Sequence, residues 1–350
     1  MKKFIIVLVC AMLCINTVCV AEEEYGCECG YGYGYEYVSG YGVRVGIIDS
    51  GVNKTNENVL TGFNYLHNNT DTTDNKGHGT AISDIILEIA PNVKIIPLKC
   101  TELNQITDNS AVIAAIYKAV DDFKCDVINI SIGMPHSGEL KAAVDYAANK
   151  GAIIVSAVGN DGELNYKQSK VYYPAGYENV IGVGSVDENN LVSSFSQRNE
   201  SVFVVTSSKE PGTSFAAAKI SGMAAIAKSF NKRMSVWLFM KYLKRASIDF
   251  GDKGYDTSYG NGALNIELLL NNLKNDNPVY ITYLDEQKFT LYNSKKETTK
   301  GILIFMGEHV TSEEIEILPN REKELSLRNS ESCFFWQKSI YDLIWIKKGE

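Results

Sequence analysis

The segment Val43-Arg44-Val45-Gly46-Ile47-Ile48-Asp49-Ser50-Gly51 joins a short apolar run to a carboxylate and a glycine turn. The run from Val43 to Ile48 predicts a buried strand, and Asp49 lies where that strand ends. Polar groups that follow a buried strand collect at the carboxyl edge of a parallel sheet, which is where such sheets bind ligands. The segment therefore predicts both a central strand and a side chain available for chemistry.

Further apolar runs of the same kind alternate with amphipathic stretches downstream. The predicted strands are Val43 to Ile48, Lys94 to Leu98, Val127 to Ser131, Ile153 to Val158, Val180 to Gly184 and Val202 to Val205. The predicted helices are His78 to Ile89, Asn109 to Phe123, Glu139 to Asn149, Ser214 to Phe230, Ser235 to Ala246 and Ile266 to Leu273. Apolar strands separated by helices predict an α/β fold, a doubly wound and mostly parallel sheet with helices on both faces.

Two of the predicted helices begin with reactive side chains. Gly77-His78-Gly79-Thr80 places an imidazole at one helix start, and Gly212-Thr213-Ser214-Phe215-Ala216 places a hydroxyl at another. A helix start directs backbone N–H groups and a positive dipole end toward developing negative charge. With Asp49, the chain thus carries a carboxylate, an imidazole and a hydroxyl in the order Asp, His, Ser. That order differs between the unrelated folds that use these three groups.

With these strings the chain resembles the subtilisin-like serine peptidases, or subtilases. Two more strings support the resemblance, Asn129-Ile130-Ser131-Ile132-Gly133 and Ser156-Ala157-Val158-Gly159-Asn160-Asp161-Gly162. The resemblance implies that Ser214 is the nucleophile, His78 the general base and Asp49 the group that orients His78. It also implies that Asn160 donates to the oxyanion. The family usually has Pro in the serine helix, where this chain has Ala218 and Lys219.

The resemblance further implies where a peptide substrate binds. Two extended segments would pair with it and one aromatic side chain would line the first specificity pocket; these residues are Ser131, Ile132, Gly133, Ala157, Val158, Gly159 and Tyr172. A phenol at position 172 would fill the pocket floor and favour small or medium side chains before the cleaved bond. The alternative is that Tyr172 points outward from a loop, because register is easily misplaced by one in a Tyr-rich stretch.

Metal binding is a weaker expectation. Calcium sites are common in the family, and Asp71 and Asp74 lie in a polar loop. The residues around them do not show the spacing of a known calcium-binding motif. We therefore assign no metal ligand and no certain cofactor, and structural calcium stays an open expectation.

The N-terminal segment predicts export. Residues 1–21 combine Lys2 and Lys3, an apolar stretch and small residues before a cleavage point, as in a secretory signal peptide; an uncleaved membrane anchor is the alternative. Residues 22–42 are acidic and then rich in Tyr and Gly, which predicts a flexible arm. With a net charge of −8, nucleic acid is an unfavourable partner. The expected partner is a peptide or protein substrate outside the cell, with a membrane role only for an uncleaved leader.

The C-terminal part predicts a second domain. Residues 43–274 form the predicted catalytic domain, after which Asn275-Asp276-Asn277-Pro278 interrupts the pattern. Strands at short spacing then predict a small all-β, sandwich-like domain over residues 279–350.

The sequence thus predicts a secreted serine endopeptidase that acts through an acyl-enzyme intermediate. One alternative is a catalytically silent subtilase scaffold used for binding, although all four catalytic side chains are present. Another is a peptide ligase or cyclase, in which an amine replaces water at the acyl-enzyme. The same triad serves hydrolysis and ligation.

Overall fold

Strand β1, Arg44–Asp49, lies inside the large sheet with all but its first residue buried. In this computed structural model the described residues are 40–54, 57–102, 109–162, 170–276, 279–283, 288–293, 298–306, 311–318, 321–326, 332–336 and 343–347. They belong to one compact unit, Val38–Glu350. The predicted leader and nearly all of the predicted arm lie outside the described residues.

The large sheet has nine strands in the order β2-β3-β1-β4-β5-β6-β7-β9-β8. After β1 they are β2 Phe63–Asn64, β3 Lys94–Lys99, β4 Val127–Ile130, β5 Ile153–Ala157, β6 Val180–Ser185, β7 Val204–Thr206, β8 Ser247–Ile248 and β9 Ala263–Leu264. Neighbours are parallel except β8 and β9, which are antiparallel. The predicted mostly parallel sheet is confirmed.

Six helices in the described part of the chain cover this sheet: α1 His78–Ile89, α2 Asn109–Asp121, α3 Gly138–Asn149, α4 Thr213–Phe230, α5 Val236–Ala246 and α6 Ile266–Asp276. Helices α2 and α3 bury one apolar stripe each in a shared core with Ile48, Leu98 and Ile128. Helices α1 and α4 pack on each other and on β1, with α4 also crossing β4 to β7. These four helices therefore form one pair on each face of the sheet.

The chain changes direction across the sheet at β1. It passes from β1 through α1 to β3 on one side, and then through α2 to β4 on the other side. The crevice beyond the carboxyl end of such a strand is the topological switch point, where open α/β sheets bind their ligands. Asp49 ends β1 and therefore lies at this crevice.

The C-terminal part forms two antiparallel sheets, which confirms the all-β prediction for this region. One has the order β10-β11-β14 and the other β13-β12-β15-β16. Their strands are β10 Val279–Tyr283, β11 Lys288–Asn293, β12 Thr299–Met306, β13 Thr311–Ile317, β14 Arg321–Ser326, β15 Ser332–Trp336 and β16 Leu343–Lys347. Strand β15 is an aromatic run without the polar alternation by which a sequence predicts an exposed strand.

Within the described ranges, no helix combines the length and the apolar character that a membrane crossing requires.

Candidate active site

The carboxylate of Asp49 and the imidazole of His78 form a hydrogen bond. The distance from His78 Nδ1 to Asp49 Oδ1 is 2.7 Å, and the Asp49 side chain is only 1% exposed. Asp49 Oδ1 also accepts the backbone N–H of Ser50 at 2.7 Å. With Nδ1 donating to the carboxylate, Nε2 is the nitrogen left to accept a proton.

Close backbone packing sets the distance between these two residues. A Cβ added to Gly79, the second residue of α1, would lie 2.1 Å from the carbonyl oxygen of Gly51 and 3.2 Å from Asp49 Cβ. Only glycine allows α1 to begin this close to the end of β1. The Gly-His-Gly string therefore brings the imidazole within hydrogen-bond reach of the strand.

The charge around His78 favours its protonated form. Burial alone would lower the pKa of His78, but the hydrogen bond and charge of Asp49, with the charge of Asp74, outweigh burial and raise it. Asp49 Oδ2 is buried and has no hydrogen-bond partner among the described residues. A buried carboxylate oxygen of this kind is stabilised when the adjacent imidazole gains a proton.

Ser214 is the second residue of α4 and is nearly buried. The ring of its neighbour Phe215 lies against His78, with 5.7 Å between ring centroids. Helix α4 is held to β4 by a chain of hydrogen bonds, in which Ser221 Oγ donates to Asn129 Oδ1, Asn129 Nδ2 to Ser131 Oγ, and Ser131 Oγ to the carbonyl of Ser214. Among described residues no hydrogen bond joins the Ser214 hydroxyl to His78, a pair that is commonly loose before substrate binds.

Asn160 is exposed and its carboxamide is oriented by Thr213, the first residue of α4. Asn160 Oδ1 accepts from the Thr213 backbone N–H at 3.0 Å and from Thr213 Oγ1 at 2.9 Å. Thr213 Oγ1 in turn accepts the N–H of Gly159 at 3.3 Å. Because the oxygen of the carboxamide is engaged, the Nδ2 donor faces away from Thr213.

The two segments expected to bind substrate follow β4 and β5. Ile132 and Gly133 take part in no backbone hydrogen bond between described residues, so their N–H and C=O groups are available to an added strand. On the other side, Val158 N–H donates to Val183 O and Gly159 O accepts from Gln197 N. Ala157 ends β5 and is buried.

Tyr172 lies against both segments. A Cβ on Gly133 would be 3.1 Å from Tyr172 Cβ and Cγ, and a Cβ on Gly159 would be 2.8 Å from Tyr172 Cδ2. The phenol donates to Asp161 Oδ2 at 2.5 Å, and this hydrogen bond, together with burial, raises the pKa of Tyr172 to about 12. Lys170 Nζ lies 5.1 Å from the ring centroid. The ring thus occupies the space between the two glycines as a neutral phenol.

The two calcium candidates have separate environments. Asp71 is exposed and its Oδ1 accepts from the N–H and hydroxyl of Thr73, which lower the pKa of Asp71. Asp74 is 4% exposed, and protein N–H and O–H donors occupy both of its oxygens. No group of three or more His, Cys, Asp or Glu side chains in the described part of the chain could hold a metal. The residues present do not fit a calcium site centred on Asp74.

Sequence reasoning missed Thr213 and Ser50, and it considered Asp74 only as a possible calcium ligand. Thr213 orients Asn160, and Ser50 and Asp74 connect the end of β1 to the start of α1. Thr213 and Ser50 are each adjacent to a predicted catalytic residue, which is a signal for a supporting role. Asp74 lies four residues before His78, outside the N-cap position and the first turn where an acidic residue is a recognised helix-start signal, so no local signal marks it.

A family model described as "Subtilase family" matches residues 40–262. Subtilisin DY from Bacillus licheniformis is 32% identical over 253 residues, which cover 65% of this chain and 90% of that protein. Subtilisin BL from Lederbergia lenta is 28% identical over 257 residues, covering 66% and 91%. The crystal structure of a lanthipeptide protease matches with a TM-score of 0.59 at 24% identity, covering 66% of this chain and 87% of that one, a likeness of fold.

Proposed function

Because the chain belongs to the subtilase family and is a serine-type endopeptidase, we propose that it cleaves peptide bonds with Ser214 as nucleophile, His78 as general base and Asp49 as the group that orients His78. The observation that carries this assignment is the 2.7 Å hydrogen bond between buried Asp49 and His78 at the switch point of the sheet, where α4 presents Ser214.

The proposed reaction has two halves. Ser214 Oγ attacks the carbonyl carbon while its proton passes to His78 Nε2, and His78 then gives this proton to the leaving amine as the C–N bond breaks. Water repeats the sequence on the acyl-enzyme, which restores Ser214 and releases the new carboxyl product. Asp49 keeps Nδ1 protonated throughout and stabilises the imidazolium.

Negative charge on the carbonyl oxygen requires donors, and Asn160 Nδ2 is proposed to supply one with the backbone N–H of Ser214. The two hydrogen bonds from Thr213 to Asn160 Oδ1 support this role because they orient the carboxamide before the reaction begins. Donors that are already oriented cost no reorganisation in the transition state.

The substrate is proposed to add as a β-strand between Ser131–Gly133 and Ala157–Gly159. Tyr172 limits the space beside these segments, so the residue before the cleaved bond should be small or medium in size. The contacts of its ring with Gly133 and Gly159 support this specificity, and the hydrogen bond to Asp161 keeps the ring in place.

Export is proposed on the leader pattern of residues 1–21. N-terminal sequencing of the protein recovered outside the expressing cell should give Glu22 as the first residue. Retention of Met1 on a membrane-bound product would instead support the anchor alternative.

The catalytic assignment is tested by turnover of a peptide library. Ser229→Ala is the control: it lies on the same helix, about 22 Å from Ser214 by helical rise. It should cleave the library as fast as the wild type. Ser214→Ala should lose kcat by a factor on the order of 10⁶, as in subtilisin when the triad is broken. Near-wild-type cleavage by Ser214→Ala would refute the assignment, and product masses separate hydrolysis from ligation.

A further inference from the structure

Asp74 is a buried carboxylate that the proposed reaction does not use. It lies in the loop before α1 and accepts five hydrogen bonds from the protein. Oδ1 accepts from Ser50 Oγ at 2.9 Å, Lys76 N at 3.1 Å and Gly77 N at 2.9 Å. Oδ2 accepts from Thr80 N at 2.9 Å and Thr80 Oγ1 at 2.7 Å. These donors outweigh the effect of burial and lower the pKa of Asp74, so the group is anionic at neutral pH.

Two of the residues that donate to Asp74 are chain neighbours of the catalytic pair. Ser50 follows Asp49 in the chain, and Gly77 precedes His78. Ser50 Oγ, which donates to Asp74, also accepts the N–H of Gly79, the residue after His78. The Asp74 carboxylate therefore bonds directly to Ser50, beside Asp49, and to Gly77, before His78, and it holds Gly79, after His78, through Ser50.

Asn53 completes this connection through the backbone. Its Oδ1 accepts the N–H of Asp74 at 3.0 Å and its Nδ2 donates to the carbonyl of Asp74 at 3.1 Å. Its own N–H donates to Thr80 Oγ1 at 3.1 Å. The Asp74 loop is thereby held against the segment that leaves β1.

A simple helix cap would not need this arrangement. The residue before α1 is Gly77, which has no side chain to cap the helix, and Asp74 accepts the first-turn N–H of Thr80 from three residues further upstream. In doing so it carries a negative charge to the N-terminal end of α1, where His78 lies. The carboxylates that raise the pKa of His78 are Asp49, which ends β1, and Asp74 in this loop.

We propose that Asp74 is a positioning residue, which holds the end of β1 and the start of α1 in one hydrogen-bond network and so fixes the Asp49–His78 pair for catalysis. This inference rests on the proposed function, because it assigns Asp74 a part in setting the geometry and basicity of His78.

Asp74→Asn tests the proposal. The amide nitrogen of the introduced asparagine cannot accept the two hydrogen bonds from Thr80, so these bonds are lost together with the negative charge. We expect kcat to fall about tenfold to a hundredfold, the range for a small misplacement of a catalytic group, with KM changed less than about twofold. The rising limb of kcat/KM against pH should move to lower pH, because a negative charge that favours imidazolium has been removed.

Asp71→Asn is the matched control. It removes one negative charge from the same loop, three residues away, at an exposed side chain whose oxygen bonds only Thr73 among the contacts described above. Its kcat and pH profile should match the wild type. An equal pH shift in Asp71→Asn would overturn the proposal, because it would show a general effect of loop charge.

Thr80→Val keeps the test decisive if Asp74→Asn does not fold. It removes one hydroxyl donor to Asp74 and leaves the backbone bond, so kcat should fall by a few-fold with KM unchanged. Two results must be established first: the wild type cleaves peptides, and Ser214→Ala does not. If either result fails, the proposed function itself is refuted. Once the wild type has passed these checks, wild-type kcat and an unshifted pH profile in folded Asp74→Asn would overturn the positioning role. Wild-type kcat in Thr80→Val would overturn it as well.

Discussion

His78 lies between the carboxylate of Asp49 and the ring of Phe215, at the first residue of α1. General-base catalysis needs its neutral form, and its surroundings raise the pKa of His78. We therefore expect kcat/KM to rise with pH through a midpoint above ~6.5, the ordinary value for histidine. Initial rates at low substrate concentration from pH 5 to 10 measure this midpoint. A midpoint clearly below the ordinary histidine value would contradict the described environment.

Tyr172 gives a prediction about specificity. Tyr172→Gly removes the ring between Gly133 and Gly159, so kcat/KM for peptides with Phe or Leu before the cleaved bond should rise at least about tenfold. Tyr172→Phe keeps the ring and loses only the hydrogen bond to Asp161, so it should retain the preference for small residues. Strong wild-type cleavage after Phe or Leu, unchanged in Tyr172→Gly, would show that Tyr172 does not line the pocket.

At the scale of residues, the sequence indicated the catalytic candidates better than their support. Asp49, His78 and Ser214 each have a glycine within two residues and occur in an order characteristic of one family, so short sequence motifs were enough to identify them. The role of Asp74 depends on a loop that folds back to Ser50 and Thr80, residues 24 and 6 positions away in the chain. Local sequence patterns do not predict contacts between residues this far apart in the chain.

At the scale of elements, α1, which begins with His78, packs on α4, which carries Ser214. Gly222 in α4 allows this contact, since an added Cβ would lie 2.9 Å from Ile89 Cβ and 3.0 Å from its Cγ2. Gly222→Ala should lower the free energy of unfolding by about 1 to 2 kcal/mol, because overpacking exceeds the gain in helix propensity.

Gly138→Ala is the control for this prediction. Gly138 begins α3, and no atom lies within 4 Å of a Cβ placed there. Its alanine variant should be at least as stable as the wild type. Urea unfolding of both variants measures the difference, and a Gly222→Ala protein as stable as Gly138→Ala would contradict the close helix contact.

The elements themselves were largely predictable. The limits of α1 were predicted correctly because apolar periodicity and the Gly-His-Gly string mark both its length and its start. Strand β7 was predicted at 202–205 and is Val204–Thr206, a normal boundary error for a short run. The two-residue strands β2, β8 and β9 are too short to carry any periodicity, and only the folded sheet defines them.

At the scale of the whole molecule, chain order follows from topology. Because β1 lies inside the sheet and is the first strand of the described part of the chain, Asp49 precedes the helices that carry His78 and Ser214. All contacts of the proposed catalytic site described above lie between Asp49 and Ser221. The separation of a catalytic domain, 43–274, from a β domain, 279–350, stays a prediction.

Removal of residues 277–350 tests that separation. If the C-terminal sheets form a separate domain, the truncated protein should fold and keep kcat for a short peptide within about threefold, since none of the described active-site contacts involves them. Circular dichroism and peptide turnover measure the two properties. A truncated protein that is unfolded under conditions where the full chain is stable would show that the two parts form one folding unit.

The central claim is that Ser214 is a nucleophile activated by His78. The most direct measurement is labelling of the purified protein with an active-site-directed fluorophosphonate, followed by mass mapping of the modified peptide. We predict one adduct, on Ser214, that forms on the wild type and on Asp71→Asn but not on His78→Ala within the same time. Labelling of another serine, or equal labelling of His78→Ala, would contradict the account.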